Sequence, residues 1–243
     1  MKIVDFDKEI VNIPDANFKA YLVNNKAINT NGDKEIQVSE ARTFNGKIIC
    51  GYLNISNLKG IEAFTALTEL YWYDFPEVTI ENPLMSLDVS KNTALTRLDC
   101  WGIQLTSLDV SKNTALTILY CPSNQLMSLD VSKNNALTDL CCSGNQLTSL
   151  DVSKNTALNG LQCHSNQLTS LDVSKNTALT YLSCGGNQLT SLDVSKNTAL
   201  TDLSCGGNKF DCDALKKKYG IDYPFIFPFS IIKDESKLLF LEK

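Results

Sequence analysis

The sequence predicts an α/β solenoid: short parallel strands stacked along a concave face, wound as a right-handed superhelix, with a helical cap at each end. Three observations predict it. The segment LDVSKNTALT returns with its aspartate at positions 88, 109, 130, 151, 172 and 193, a constant step of 21 residues. Each copy then carries leucine and cysteine two residues apart, the alternation of a half-buried strand. The flanking segments 14–25 and 213–220 carry helix signals and lie outside the repeat. Near-identical copies at such a period cannot arise from composition bias, and a period of roughly 20–50 residues marks stacked structural units.

The full unit reads L-D-V-S-K-N-T-A-L-T-x-L-x-C-x-x-N-Q-L-T-S. Within it lies L-x-x-L-x-C-x-x-N-x-L, for example Leu116, Leu119, Cys121, Asn124 and Leu126. This is the leucine-rich-repeat pattern with cysteine in the third apolar slot. The L-x-C portion is a short strand whose alternate side chains point inward. The asparagine follows at a turn, where it can bond backbone groups that the bending chain leaves unpaired.

Two more degenerate coils precede the six. Residues 66–72 align with 94–100, with Trp72 in the cysteine slot, and the next coil follows after 28 residues because VTIENPL is inserted. Ile48, Ile49, Cys50 and Ile55 fit the first coil. Eight coils, at about 4.8 Å per strand, give a sheet roughly 35 Å long. The chain divides into a helical N-terminal cap with a degenerate EF-hand-like loop (1–45), the repeats (46–209), and a C-terminal cap and tail (210–243).

Leu108, Val110, Ala115 and their equivalents are expected to fill the convex side of the core. Asp109 and Lys112 recur together, so their charges cancel and can pair on the outer surface, at about 0–1 kcal/mol per pair. Turn hydrogen bonding accounts for the Asp-Ser-Asn ladder; a calcium array is the functional alternative.

Nine cysteines normally suggest disulfides or a metal. Here Cys50, Cys100, Cys121, Cys142, Cys163, Cys184 and Cys205 share one inward slot. Neighbouring parallel strands hold equivalent residues in poor disulfide geometry, and a single file of thiols does not converge on a tetrahedral ion. They read as small buried hydrophobes. Cys141 falls on the exposed strand face and Cys212 in the C-terminal cap. The pair Cys212-Asp213 places a nucleophile beside an acid, but only about 30 residues follow, too few for a catalytic domain. The reading is non-enzymatic.

Residues 14–25, PDANFKAYLVNN, read as a capped helix with Phe18, Tyr21 and Leu22 at helical spacing. NTNGDKEIQVSE follows. Asn29, Asn31 and Asp33 stand at the first three EF-hand ligand positions, Glu35 offers its carbonyl, and Glu40 is the closing acid. Asn29 replaces the usual aspartate, and Lys34 stands where the sharp turn asks for glycine. A calcium loop and a helix–loop–helix cap that seals the first coil are both open readings, with no cofactor the default. Asp213 to Tyr219 with Gly220 reads as a short helix. The apolar tail beyond it, broken by Pro224 and Pro228, folds back over the last coil or makes a dimer contact.

Composition excludes other classes. The net charge is −5 and no basic stripe exists, which argues against nucleic acid. No apolar run approaches a membrane span. The start MKIVDFDKEI is acidic within five residues and lacks the apolar run of a signal peptide. The protein is cytosolic, or this is a form whose leader has been removed.

The repeat LTSLDVSKNTALTxLxCxxNQ, the segment IPDANFKAYL…INTNGDKEIQVSEA and the cap NKFDCDALKKKYG together resemble the internalin-like leucine-rich-repeat proteins of Bacteroidetes. The resemblance covers roughly residues 12–220. It implies a secreted or cell-surface bacterial protein with a role in adhesion or recognition.

Comparison of the copies locates a binding face. Variation concentrates at positions flanking the inward leucine and cysteine, which face outward from the sheet. Tyr71, Tyr73, Trp101 and Tyr120 form an aromatic cluster on the N-terminal half, with Glu69, Arg97, Asp99 and Ile118 beside it. Exposed aromatics next to arginine and carboxylates anchor interfaces. Packing under the inserted loop 76–84 is the structural alternative. His164, the single histidine, reads as surface decoration. The expected partner is a protein, possible on a host or cell surface, with a glycan as the second class and a structural spacer as the third.

Overall fold

The computed structural model describes residues 8–51, 53–72 and 86–210. The order begins with helices α1 (Ala16–Asn24) and α2 (Val38–Thr43). Strands follow as β1 (Lys47–Ile49), β2 (Glu69–Tyr71), β3 (Ser86–Leu87), β4 (Arg97–Asp99), β5 (Ser107–Leu108), β6 (Ile118–Tyr120), β7 (Asp139–Cys141), β8 (Gly160–Gln162), β9 (Tyr181–Ser183) and β10 (Asp202–Ser204). Eight of them build one sheet in the order β1-β2-β4-β6-β7-β8-β9-β10, parallel throughout. β3 and β5 form a two-stranded parallel sheet of their own.

Register is set by the middle residue of each strand. Ile48, Leu70, Leu98, Leu119, Leu140, Leu161, Leu182 and Leu203 pair in sequence across the sheet, and all are buried. A one-residue slip would turn every one of these outward. The cysteine ladder lies two residues on. Cys50, Cys100, Cys121, Cys142, Cys163 and Cys184 are buried, free thiols, and Cys205 is half-buried. Trp72 holds the same slot, 2% exposed.

The chain leaves the strands through turns with positive φ. Two residues after the cysteine the slot reads Gly102, Ser123, Gly144, Ser165, Gly186 and Gly207, with φ between 54° and 71°. Glycine adopts this conformation freely, whereas serine is strained there by about 1–2 kcal/mol.

Three side-chain ladders carry the polar load. Asn124, Asn145, Asn166 and Asn187 each donate to the carbonyls of two cysteine slots and accept an N–H of a neighbouring coil. Asn145 donates at 3.0 Å to Cys121 and Cys142 and accepts from Leu126 N at 3.0 Å. The recurring turn asparagine expected from the sequence therefore stitches adjacent coils together. A second ladder runs through Asn92, Asn113, Asn134, Asn155, Asn176 and Asn197, all fully buried. Asn113 donates to the carbonyls of Val89 and Asn92 at 3.0 and 2.9 Å. At the strand entry Thr117 donates through both its N–H and its hydroxyl to the Thr96 carbonyl, 2.8 and 3.1 Å away.

Two expectations about the convex side are corrected. Leu108 and Val110 are buried, but Ala115 is exposed, and Asn113 and Leu116 take the inward positions around it. The asparagine amide can close the turn from inside, which the methyl of alanine cannot. Asp109 and Lys112 form no ion pair. Asp109 accepts from the N–H of Ser111 at 2.8 Å, and the same bond recurs at Asp88, Asp130, Asp151, Asp172 and Asp193. Bonds to the backbone and side chain of this serine hold each carboxyl below its usual range, the backbone bond leading at all but Asp88.

At the N-terminus Asp15 caps α1 by accepting from Phe18 N at 2.9 Å, and its other oxygen accepts from Ser56 N. Phe18 and Leu22 seal the end of the core, and the Tyr21 hydroxyl accepts from Ile49 N at 3.0 Å. Gln37 and Glu40 form a capping box on α2. The expected C-terminal helix, Cys212 and the apolar tail lie outside the described residues.

Candidate functional site

On each three-residue strand the first and third side chains face away from the core. Stacking in register turns these positions into two columns across the sheet. One holds Lys47, Glu69, Arg97, Ile118, Asp139, Gly160, Tyr181 and Asp202. The other holds Ile49, Tyr71, Asp99, Tyr120, Cys141, Gln162, Ser183 and Ser204. Backbone hydrogen bonding fixes the spacing, so the side chain at each crossing is the local variable.

The structure brings the N-terminal cluster together. The guanidinium carbon of Arg97 stands 5.1 Å from the ring centres of both Tyr71 and Tyr120. Its Nη2 is 3.6 Å from Asp99 Oδ2. The Tyr71 hydroxyl donates to Glu69 at 2.6 Å. Burial and that bond push the Tyr71 phenol up to about 12, against the pull of Arg97. Burial raises Asp99, opposed by Arg97. Tyr120 is raised by burial and then by the carboxylates of Asp139 and Asp99. Trp101 is 38% exposed, and Ile118, in register with Arg97, is half-buried. Tyr73 and the inserted loop lie outside the described residues.

Two outward residues stand differently from expectation. Cys141 is buried rather than exposed, because Tyr120 and Gln162 flank it in register and shade so short a side chain. Its sulfur lies 3.3 Å from Ser143 Oγ. His164 is not isolated: its Nδ1 is 3.2 Å from Ser183 Oγ, and burial lowers its basicity. The interleaving of Arg97 between two tyrosines is a diagonal contact between strands, and a one-dimensional comparison of copies carries no signal for it.

The EF-hand-like loop is closed by its own hydrogen bonds. Asn29 donates to the carbonyls of Val23 and Asp33 and accepts from Gly32 N. Asn31 donates to Gln37 and Asp33, and Asp33 accepts from Glu35 N and Gln37. The side chain of Glu35 pairs with Lys19 at 2.6 Å. Glu40, 7% exposed, accepts from Thr30 N, Thr30 Oγ1 and Asn31 N through one oxygen and from Gln37 N through the other. Lys19 engages only the side chain of Glu35 and leaves its carbonyl aside, whereas both oxygens of the closing acid Glu40 are taken up by donors of the loop and helix start. Among the described residues no group of three or more His, Cys, Asp or Glu is placed to hold a metal.

Among the described residues no helix is long and apolar enough to cross a membrane. No protein-family model and no curated protein matches the chain. Solved structures do. The functional domain of InlJ from Listeria monocytogenes, which includes a cysteine ladder, matches with a TM-score of 0.52 and 33% identity, over 86% of this chain and 55% of that one. A leucine-rich-repeat protein of Leptospira interrogans matches with a TM-score of 0.57 and 18% identity, over 70% of this chain and 51% of that one. Internalin C2 of Listeria monocytogenes matches with a TM-score of 0.57 and 16% identity, over 86% of this chain and 98% of that one. This chain spans about half the length of the first two. The stacked parallel strands, the paired asparagine ladders and the file of buried thiols thus make up a leucine-rich-repeat solenoid of internalin-type fold.

Proposed function

We propose that the chain is a non-catalytic recognition module of a secreted or cell-surface bacterial protein, in the first place a Bacteroidetes one, that captures a protein partner on the concave sheet face. The observation that carries this reading is the ordered stack of Tyr71, Arg97 and Tyr120, with exposed Trp101 two residues past Asp99. Large side chains already held in place lose little freedom on binding, which is what hot-spot residues require. Glu69, Asp99 and Ile118 complete the contact surface, and the likeness to internalin-type solenoids supports the same use of the face.

Carbohydrate binding is the second reading, favoured by an exposed indole two residues from a carboxylate on the same strand exit. The test is an array of extracellular proteins and glycans probed with the whole chain and with a Trp101→Ala/Tyr120→Ala variant. Capture of a protein that the double variant loses is expected. Binding confined to glycans overturns the protein reading, and capture unchanged in the variant overturns the site.

A further inference from the structure

The concave face is electrically divided. In its N-terminal half Lys47 and Arg97 balance Glu69 and Asp99. In the five coils from Ile118 to Asp202 the strand positions carry two charges, Asp139 and Asp202, and no cation. Neither aspartate makes an ion pair among the described residues. Each is oriented by the threonine before it: Thr138 Oγ1 donates to Asp139 Oδ2 at 2.9 Å, and Thr201 Oγ1 to Asp202 Oδ2 at 2.8 Å.

Between Asp139 and Tyr181 the column contains Gly160, paired in register with both. The missing side chain leaves a notch whose walls stand two strands, or roughly 10 Å, apart. Asp139 Oδ1 leans into it, 2.8 Å from where a Cβ on Gly160 would sit. No donor among the described residues reaches that oxygen. Tyr181, 38% exposed, is the residue in register on the other side of Gly160. A carboxylate leaning over a glycine position, with an exposed tyrosine next in the column, offers a charge and an aromatic surface to a cation carried on a slender stem.

We infer that the notch over Gly160, between Asp139 and Tyr181, receives a lysine or arginine side chain of the protein partner. This rests on the recognition reading above and supplies its chemistry: the partner presents a basic residue to the C-terminal half of the face. A neutral sugar would leave the uncompensated charge of Asp139 and Asp202 unanswered, and an acidic segment would be repelled.

The test titrates the full, isotope-labelled chain with a blocked tetralysine peptide at low ionic strength and follows amide shifts. Saturable shifts at Gly160 and Tyr181 are expected, weakened about fivefold by Asp139→Asn and lost in Gly160→Leu. The glycine substitution is tolerable, since an added Cβ meets only the end of the Asp139 side chain. Tetraglutamate is expected to shift nothing there. Silence with tetralysine, shifts that survive Gly160→Leu, or a response to cellotetraose instead each overturn the inference. The Trp101→Ala/Tyr120→Ala variant should keep the tetralysine response. If that variant loses partner capture while tetralysine is silent on the parent chain, recognition stands and the basic notch falls.

Discussion

The guanidinium of Arg97 lies against the ring of Tyr120, 5.1 Å from its centre, and makes the mirror contact with Tyr71 on the other side. Arg97 belongs to one outward column and the tyrosines to the other, so the arginine bridges three strands diagonally. Asp99, on the same strand as Arg97, keeps the cation oriented. The aromatic platform is therefore held by a charge rather than by apolar packing.

Arg97→Ala should accordingly loosen both rings. Two partly desolvated cation–π contacts give an expected loss of about 1–2 kcal/mol in denaturant unfolding, with a weaker near-ultraviolet tyrosine signal. Arg97→Lys should recover little, since an ammonium lacks the flat plane that stacks on both sides. The phenol of Tyr71 reports on the same contact. Glu69→Gln exchanges a charged acceptor for a neutral one and should bring its pKa down from about 12, with burial still holding it above 10.0. Arg97→Ala should move it further up. A lysine variant as stable as the parent would show that charge alone suffices.

Asn145 makes a sharper demand. Its carboxamide serves the Cys121 and Cys142 carbonyls and the Leu126 N–H, all buried, with a longer bond of 3.3 Å to the Ser143 carbonyl. Asn145→Ala strands those three groups, at about 1–3 kcal/mol each before relaxation, so a loss of about 3–5 kcal/mol is expected in guanidinium unfolding. Asn145→Asp should be no better, because a carboxylate cannot donate to Cys121 and Cys142. The same change at Asn208 should cost less, since that end of the ladder is only half-buried. Equal losses at the two positions would mean that burial does not set the cost.

The repeat, the strands, the thiol file and the first asparagine ladder were legible because a strand has a period of two and a coil a period of 21. The convex side was not. It has no regular period, so nothing in the run Asn113-Thr114-Ala115 says that the amide points in and the methyl out. Asp109 and Lys112 were misleading for a related reason: their joint recurrence suggests pairing, whereas in this turn Asp109 bonds Ser111. Cys141 needed its neighbours. Its position faces outward, but Tyr120 and Gln162 decide how much solvent reaches it.

The N-terminal loop separates two uses of one sequence pattern. Glu40 already accepts four hydrogen bonds, three of them from backbone N–H groups of the loop and helix start. Calcium would have to displace these donors before gaining the carboxylate. Adding calcium to chelator-treated protein is expected to leave the unfolding midpoint unchanged. Glu40→Gln should lower it equally with calcium and with chelator. A calcium-dependent rise that Glu40→Gln abolishes would establish metal binding there.

The thiol file gives the fold a pH dependence of definite sign. Burial pushes Cys50, Cys100, Cys142 and Cys184 above the ordinary value of 9.0, and in Cys121 and Cys163 neighbouring thiols add to it. An unfolded chain releases these protons near pH 9, while the folded chain still holds them. The folded state therefore binds more protons above pH 9, and stability falls as pH rises. It is complete below pH 9, where both states are protonated. Each thiol steepens the decline by up to about 1.4 kcal/mol per pH unit. Cys142→Ala/Cys163→Ala should lower stability at pH 7 by about 1 kcal/mol per site through the small cavities left. The same double variant should flatten the decline between pH 9 and 10. Denaturant midpoints measured under reducing conditions across that range provide the check. An alkaline slope identical in parent and variant would mean that these thiols ionise as readily folded as unfolded, which their burial forbids.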